Sequence, residues 1–530
     1  MEYTGTLLTS PTFLCSLPLL ILCLIYLLYR KSHLLTGSNR LPLPPGFPTK
    51  PFIGNLWDMP NEFEWVTYAE WGKILKSDII HADISGQCVI VLNSAEVATE
   101  LLDKRASIYS SRPRMPMVNE LIGFNWLFAY MPLGDSWAAH RKLFRQEFHY
   151  SFYERYLPQT LKATHQMLLG RLLECPEGLF EHLRYMTGAI IMSVSYGIDV
   201  RQSNDPYIGT AETAFNGLVV ASMPGAFLVD SLPWLKWVPG WFPGASFKRR
   251  AARWAHYARQ MIDVPFAEVQ RCLANGTQKP SFISYCLQNM DMKGDIGYQE
   301  KMIKEVSAQL YVAGSDTTVS ALEALFLGLT CYPDVVRTAQ AQLDAHLKGR
   351  FPDFGDREHL PYITAILKET FRWNPVTPVC IPHCTIQEDT YRGYRIPKGA
   401  TIIPNAWAML HDPSIYPDPH TFNPSRWLLP SGQLDPSVPD PWVMFGYGRR
   451  TCPGQFLPTA SVWITCATVL SLFDVGMPMG EDGEFVRPKE VFTSALTIHC
   501  VPFQADIKPR SKAAEMKIRA IAAAAKDSGS

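Results

Sequence analysis

Ten consecutive residues, Phe445-Gly446-Tyr447-Gly448-Arg449-Arg450-Thr451-Cys452-Pro453-Gly454, concentrate more chemistry than any other stretch of the chain. Gly446 and Gly448 let the backbone bend sharply and approach a flat ligand closely. Pro453 and Gly454 predict the start of a helix, which sets Cys452 near a helix N-terminus, where an anionic sulfur is favoured. The loop reads as a device that presents one thiolate to an iron atom, with Arg450 beside it. The pattern F-G-x-G-x-R-x-C-x-G is filled at every specified position. At about 5% usage per residue type, a chance match has odds of about 10⁻⁵. The competing reading is a structural cysteine buried in a glycine turn.

Three further patterns suit such a centre. In Trp137-Ala138-Ala139-His140-Arg141, the indole of Trp137 and the guanidinium of Arg141 stand one helical turn apart and offer two donors on one face. Ala313-Gly314-Ser315-Asp316-Thr317-Thr318 sits inside a long helical pattern although Gly314 and the Thr317-Thr318 pair cost helix propensity. An opened turn there would make room for dioxygen, with the Thr317 hydroxyl as hydrogen-bond donor and Asp316 as the relay of protons from water. Glu369 and Arg372 share a helix face at i,i+3. The same spacing recurs at Glu181/Arg184, Glu268/Arg271 and Glu484/Arg487, so what selects Glu369 is the later Pro375 and Phe422-Asn423-Pro424-Ser425-Arg426-Trp427. Arg426 completes a three-membered charge network whose expected role is structural.

Together these motifs resemble those of the cytochrome P450 family of haem-thiolate monooxygenases, over residues 40–508 and closest to its fungal secondary-metabolite branch. The resemblance implies a mainly α fold with a smaller β portion around a buried haem, and haem b (iron protoporphyrin IX) as the cofactor. A cysteine thiolate on haem iron favours O–O cleavage. Cys452 would be the iron ligand, and Phe445 would pack on the sulfur side of the ring. Trp137, Arg141, Arg450 and His383, the last in Ile381-Pro382-His383, would bind the propionates. Asp316 and Thr317 would deliver protons. Substrate contacts would come from 112–133, 216–223, 309–313, the strand 376–381 and the turn 493–496. These segments are apolar and aromatic, which favours a small apolar substrate, such as a terpenoid, polyketide or indole intermediate. The chain has no room for a fused flavin reductase and no convincing dinucleotide glycine loop, so electrons would come from a separate NADPH–cytochrome P450 reductase, with cytochrome b5 as a further partner. Lys142 and Arg145 would belong to a basic docking face for that acidic partner.

The elements that must position these residues are mostly helical. Helical spacing runs from about 135 to 345, including 156–173 and 301–329, while strand signals fall at 89–92, 391–404 and 491–505. No Ser/Gly linker or charge block divides the region after residue 50, so 51–508 reads as one catalytic domain. The Ala- and Lys-rich end, within 509–530, reads as a solvated tail. Equal numbers of basic and acidic residues, 49 of each, argue against nucleic acid as a partner. The 12 cysteines lack zinc-ribbon spacing and read as reduced thiols of a cytosol-facing protein.

Residues 7–29 form an apolar run, roughly 34 Å long if helical and so about one bilayer core. Arg30, Lys31, His33 and Arg40 follow it, which places residues 1–6 in the lumen and the catalytic domain on the cytosolic side of the endoplasmic reticulum membrane, held by a single transmembrane helix. A cleaved signal peptide is the competing reading, but no basic leading region or clear small-residue cleavage site supports it. The proline-rich hinge, within 30–50, then leads the chain off the membrane. A second membrane contact is expected between Pro224 and Pro243, where tryptophans adjoin Lys248, Arg249 and Arg250; a buried aromatic loop at the substrate cavity explains the same residues. In this topology the sequon Asn275-Gly276-Thr277 faces the cytosol and stays unmodified.

Three rivals remain at the level of sequence, one of them a purely structural membrane protein that would bind no haem. A haem-thiolate isomerase or dehydratase needs no reductant, and it has no use for the Asp316-Thr317 pair. A haem sensor without turnover would saturate the iron with a second protein ligand.

Overall fold

The computed structural model describes residues 41–148, 153–202, 204–223 and 225–527. The anchor read over 7–29, the segment before it and the basic residues up to Arg40 lie outside the described residues, as does Pro224. Among the described residues no single helix is long and apolar enough to cross a membrane.

The helices used below are α1 (Glu64–Leu75), α2 (Asp135–Phe148), α3 (Leu179–Tyr196), α4 (Pro206–Ser222), α5 (Ser246–Ala274), α6 (Ile296–Cys331), α7 (Pro333–Leu347), α8 (Pro361–Trp373), α9 (Phe456–Leu472) and α10 (Lys512–Asp527). The axis is α6, 36 residues long and so roughly 54 Å. Asp295 caps its start by accepting the Tyr298 N–H at 3.0 Å. Pro333 cannot extend it and opens α7 instead. Every residue of α6 from Thr318 to Cys331 is buried, because α3, α8 and α9 wrap this half. The helix is continuous through Ala313–Thr318, so the expected open turn is not present. The Thr317 hydroxyl donates to the Ala313 carbonyl at 2.7 Å, an intrahelical bond that lets threonine sit in a regular turn.

The strands are β1 (Ile79–Ile84), β2 (Gln87–Leu92), β3 (His383–Cys384), β4 (Asp389–Tyr391), β5 (Tyr394–Ile396), β6 (Thr401–Pro404), β7 (Phe473–Gly476) and β8 (Asp506–Pro509). The main sheet has the order β1-β2-β6-β3. Its central pair, β2 and β6, is parallel and joins segments about three hundred residues apart, Val89 facing Thr401. Antiparallel pairing of His383 with Ile402 then sets His383 at the end of the sheet nearest α2 and the cysteine loop.

Two expected strands differ. At 376–381, Pro375, Pro378 and Pro382 withhold ladder donors, Cys380 N–H closes a turn on Thr377 at 3.0 Å, and pairing begins only at His383. At 491–505 a single bridge joins Phe492 and Cys500; the chain between them folds into a tight loop closed by Thr493 N–H on the His499 carbonyl at 2.8 Å, and the strand starts at Asp506.

The chain end differs as well. Rather than a solvated tail it is α10, packed on the helical stretch 157–174. Ala514, Ile518 and Ile521 fall at i, i+4 and i+7 and make one apolar face, with Ile518 fully buried. Gly170 lets Ala522 approach, and Arg510 anchors the helix start on Asp344 at 2.6 Å. Ile518→Ala is expected to lower unfolding stability by about 2–4 kcal/mol in denaturant titrations, whereas a solvated tail would leave the midpoint where it is.

Candidate active site

Cys452 lies between the last helix of the core, α9, and the turn before it. Its backbone N–H donates to the Phe445 carbonyl at 2.7 Å, closing the loop around the two glycines. Gly446, at φ 80° and ψ −170°, occupies backbone space open in practice to glycine alone. A Cβ on Gly448 would collide with the Leu102 carbonyl, and its N–H is held by Asp103. Phe445 packs edge-on against Phe371 of α8, with ring centroids 5.6 Å apart. Burial pushes the Cys452 thiol up; the Gly454 N–H and the Arg141 guanidinium act the other way. A metal at this sulfur would remove the thiol proton outright.

Three guanidinium groups surround the cavity above this sulfur, and among the described residues none of them meets a carboxylate. Arg450 donates to the carbonyls of Ser110 at 2.7 Å, Phe128 at 3.1 Å and Met131 at 2.8 Å, and lies 4.4 Å over the Trp137 ring. Arg112 donates to Ala129 at 2.8 Å, Ile381 at 2.6 Å and Pro382 at 2.8 Å. Arg141, one turn after Trp137 on α2, donates to the Thr451 carbonyl beside Cys452. Burial, then the neighbouring Arg112 and Arg141, lowers Arg450 to about 8. Burial, with a smaller contribution from the Arg141 charge, lowers Arg112 to about 10 against the opposing influence of Tyr130 and Cys380. His383 is buried with Nδ1 2.8 Å from the Tyr109 carbonyl, and burial followed by the Arg112 charge holds it well below the usual imidazole range. Such a concentration of unopposed positive charge fits a flat group that brings two carboxylates, as haem does, above a thiol that can bind its iron. Sequence reasoning places Arg112 among substrate contacts; the structure sets it on the cavity wall with Arg141 and Arg450, and nothing local distinguished it from the nearby charges Arg114 and Glu120.

The cavity has a volume of about 260 Å³ and reaches from Cys452 to α6. On α6, Gln309, Ala313, Gly314, Thr317 and Thr318 line it. Gly314 is required by the close approach of α3, since a Cβ there would stand 2.5 Å from Ile191. Asp316 does not line the cavity. The helix advances about 100° per residue, so it points to the opposite wall, where His499 and Arg184 hold it. Segments 112–133, 309–313 and 376–381 contribute lining residues as expected, but 216–223 and 493–496 do not. The first packs on α5, where Gly217 accommodates Trp254, and the second meets the chain just before α1, where the Ser494 hydroxyl accepts the Phe63 N–H at 2.6 Å.

Glu369, Arg372 and Arg426 are brought together. Arg372 grips the Glu369 carboxylate with two bonds of 2.9 Å, Arg426 donates to it at 3.2 Å, and the Trp427 indole at 3.0 Å. Arg372 also holds the carbonyls of Leu410, Pro419 and Thr421. Glu369, Arg372 and Trp427 are fully buried and Arg426 partly so; the cluster ties α8 to the irregular segment that precedes the cysteine loop, and its charged groups do not line the cavity. Lys142 and Arg145 are exposed on α2. In the 225–242 segment Trp237 and Trp241 are 77% and 79% exposed, so these rings do not line the cavity.

A family model described as Cytochrome P450 matches residues 44–501. The chain is 40% identical to Tryptamine 4-monooxygenase of Psilocybe cyanescens, over 91% of this chain and 96% of that one. It is 42% identical to Cytochrome P450 monooxygenase 98 of Postia placenta, over 93% and 94%. It is 40% identical to Cytochrome P450 monooxygenase ple1 of Rhodocybe pseudopiperita, over 90% and 91%.

Removing one partner of a buried ion pair strands the other charge. Glu369→Ala is therefore expected to cost about 3–5 kcal/mol in the unfolding midpoint, with Glu369→Gln losing less because its amide oxygen still accepts from Arg372.

Proposed function

The chain belongs to the cytochrome P450 family, and on that premise we propose that it oxidises a neutral, apolar small molecule of a fungal natural-product pathway, using haem b held by Cys452. It is a haem-thiolate monooxygenase. When bound, haem supplies reductive activation of dioxygen, one atom entering the substrate and the other leaving as water, with electrons from a reductase.

The observation that carries the reading is the set of three guanidiniums, Arg112 and Arg450 buried and Arg141 half-buried, without a carboxylate partner among the described residues and gathered over one thiol. In this reading the Cys452 sulfur would bind iron, and Arg112, Arg141 and Arg450 would neutralise the propionates. Trp137 and His383 add donors, His383 through Nε2 once the incoming anions favour its protonation. Phe445 covers the sulfur side of the ring. Thr317 holds a hydroxyl proton at the cavity wall, and Asp316, the adjacent residue, exchanges protons with solvent behind it.

The walls decide the substrate class. Among the described residues no aspartate or glutamate lines the cavity. A protonated amine, such as tryptamine in the name of the Psilocybe relative, would lie there without a counter-charge, at a cost of several kcal/mol. A neutral terpenoid, polyketide or indole skeleton meets Leu310, Ala313, Val376 and Ile381.

NADPH is the proposed source of electrons through the reductase, with cytochrome b5 as a further donor, and the exposed Lys142 and Arg145 support docking of an acidic partner. The proposed location is the endoplasmic reticulum membrane, single-pass through residues 7–29, with the catalytic domain facing the cytosol. Exposed Trp237 and Trp241 beside Lys236 support a second contact with lipid headgroups. A reductant-independent isomerase is not favoured, since the relatives are named monooxygenases.

Cys452→Ser is expected to remove the thiolate signature from the spectrum of the reduced carbon monoxide complex; an unaltered spectrum would assign the iron to another ligand. Thr317→Ala should retain haem yet divert reduced oxygen into hydrogen peroxide, measured as peroxide formed per NADPH oxidised.

A further inference from the structure

Behind the cavity wall α6 carries a second group of titratable residues. Asp316 and Glu323 are seven residues apart, two helical turns, and so share one face. His499 bridges them, Nε2 standing 2.9 Å from Asp316 and Nδ1 2.9 Å from Glu323. Arg184 of α3 lies 3.5 Å from Asp316 and 3.6 Å from Glu323. It also reaches Glu212 of α4 at 3.9 Å. From its own loop His499 faces Thr493, whose hydroxyl accepts the His499 backbone N–H at 2.9 Å, and the buried Cys500 adjoins Glu323.

The loop that carries His499 is fixed on both sides. Ser320 of α6 donates to the Ile498 carbonyl at 2.5 Å, and Ile498 N–H donates to the Val376 carbonyl at 3.0 Å. A carboxylate oxygen accepts and never donates when ionised, so each ring nitrogen must carry a proton, and His499 is an imidazolium. Burial opposes that charge, but the hydrogen bonds to Asp316 and Glu323 outweigh it and raise His499 to about 9. The ring is 17% exposed, so it exchanges protons with solvent, while Glu323 is sealed at 1%. Arg184, Glu212, Ser315 and Asp316 border a cleft of about 20 Å³, room for roughly one water.

We propose that His499 is the positioning residue of the distal proton relay: it holds the Asp316 carboxylate one residue from Thr317 and passes solvent protons to it. The inference rests on the reading of Asp316 and Thr317 as proton carriers. In one passage the His499 Nε2–H bond breaks and an Asp316 O–H bond forms, leaving a neutral imidazole that keeps its Nδ1–H on Glu323. Asp316 then gives this proton to a water of the cleft it borders, and the hydronium formed carries it toward the Thr317 side of the helix, while Nε2 takes another from solvent hydronium, which is left as water. One proton enters from solvent and one leaves toward the cavity; no electrons move.

The test uses the full-length holoenzyme with its reductase and NADPH, without added substrate, and reads hydrogen peroxide formed per NADPH consumed as a function of pH. In the unsubstituted enzyme the peroxide share should rise as the pH passes about 9, where His499 loses its charge. His499→Gln should raise it several-fold at neutral pH and abolish that inflection, and Asp316→Asn should raise it likewise. A second readout is unfolding temperature. A histidine raised from 6.5 to about 9 on folding stabilises fully below pH 6.5, and that contribution is lost as the pH climbs through about 9. His499→Gln should flatten this slope. If Asp316→Asn and Thr317→Ala raise peroxide but His499→Gln leaves yield and pH profile unchanged, the role of His499 is overturned while the relay stands. If neither Asp316→Asn nor Thr317→Ala raises peroxide, the relay itself fails. Should His499→Gln not fold, absence of an inflection near pH 9 in the unsubstituted enzyme overturns the proposal by itself.

Discussion

Positive charge buried beside a thiol is the constraint on which this structure depends. Three guanidiniums, from the 112 segment, α2 and the cysteine loop, converge on one apolar cavity. Isolated, they would be expelled or neutralised. Here they survive because irregular backbone turns carbonyls toward them: Ser110, Phe128, Ala129 and Met131 all spend their oxygens this way. That explains why 110–131 forms so little regular structure in a mainly helical protein. Carbonyl dipoles satisfy the N–H groups without cancelling the charge, so an attractive field for a dianion is built into the fold. A prosthetic group that meets this field binds the folded chain alone and stabilises it by mass action.

Geometry that exacting needs a rigid support. The Glu369 carboxylate collects Arg372, Arg426, Trp427 and the Asn423 N–H, and so locks α8 to the segment leading into the cysteine loop. On the other side, His140 of α2 joins Glu305 of α6 at 2.9 Å, which sets the helix of Trp137 and Arg141 against the distal wall. The sheet brings in His383 by pairing β3 with β6. Charge pairs outside the cavity thus position charges inside it. Buried pairs are poor sources of net stability but strong determinants of which arrangement is reached.

The legible parts of the site were those whose chemistry is local. Trp137 and Arg141 are neighbours by helical spacing, and Phe445 and Cys452 are joined by one loop; both pairs stand where their spacing implies. Glu369, Arg372 and Arg426 were legible for a related reason, since a charge triad announces itself by residue type. Misread segments each met a competing local effect. Prolines at 375, 378 and 382 cancelled a strand whose apolar pattern was sound. Thr317 satisfied the Ala313 carbonyl within the helix, so no turn opened. Gly314, read as a sign of that opened turn, makes room for Ile191. The apolar face of α10 was written in Ala514, Ile518 and Ile521, but an Ala-rich composition concealed it.

By itself the sequence determined the glycine-hinged cysteine loop, the Trp137–Arg141 pair of α2, the Glu369 charge triad and the mainly helical class, because each is encoded within a few residues or by type. Only the tertiary structure decided which charged groups face the cavity and which face away from it. Asp316 and Thr317 are adjacent in the chain, yet a helical rotation of about 100° sends them to different compartments. The partner that holds Asp316, His499, is 183 residues further on. No local periodicity records that distance; it is set when the loop at 492–500 packs onto the outer face of α6.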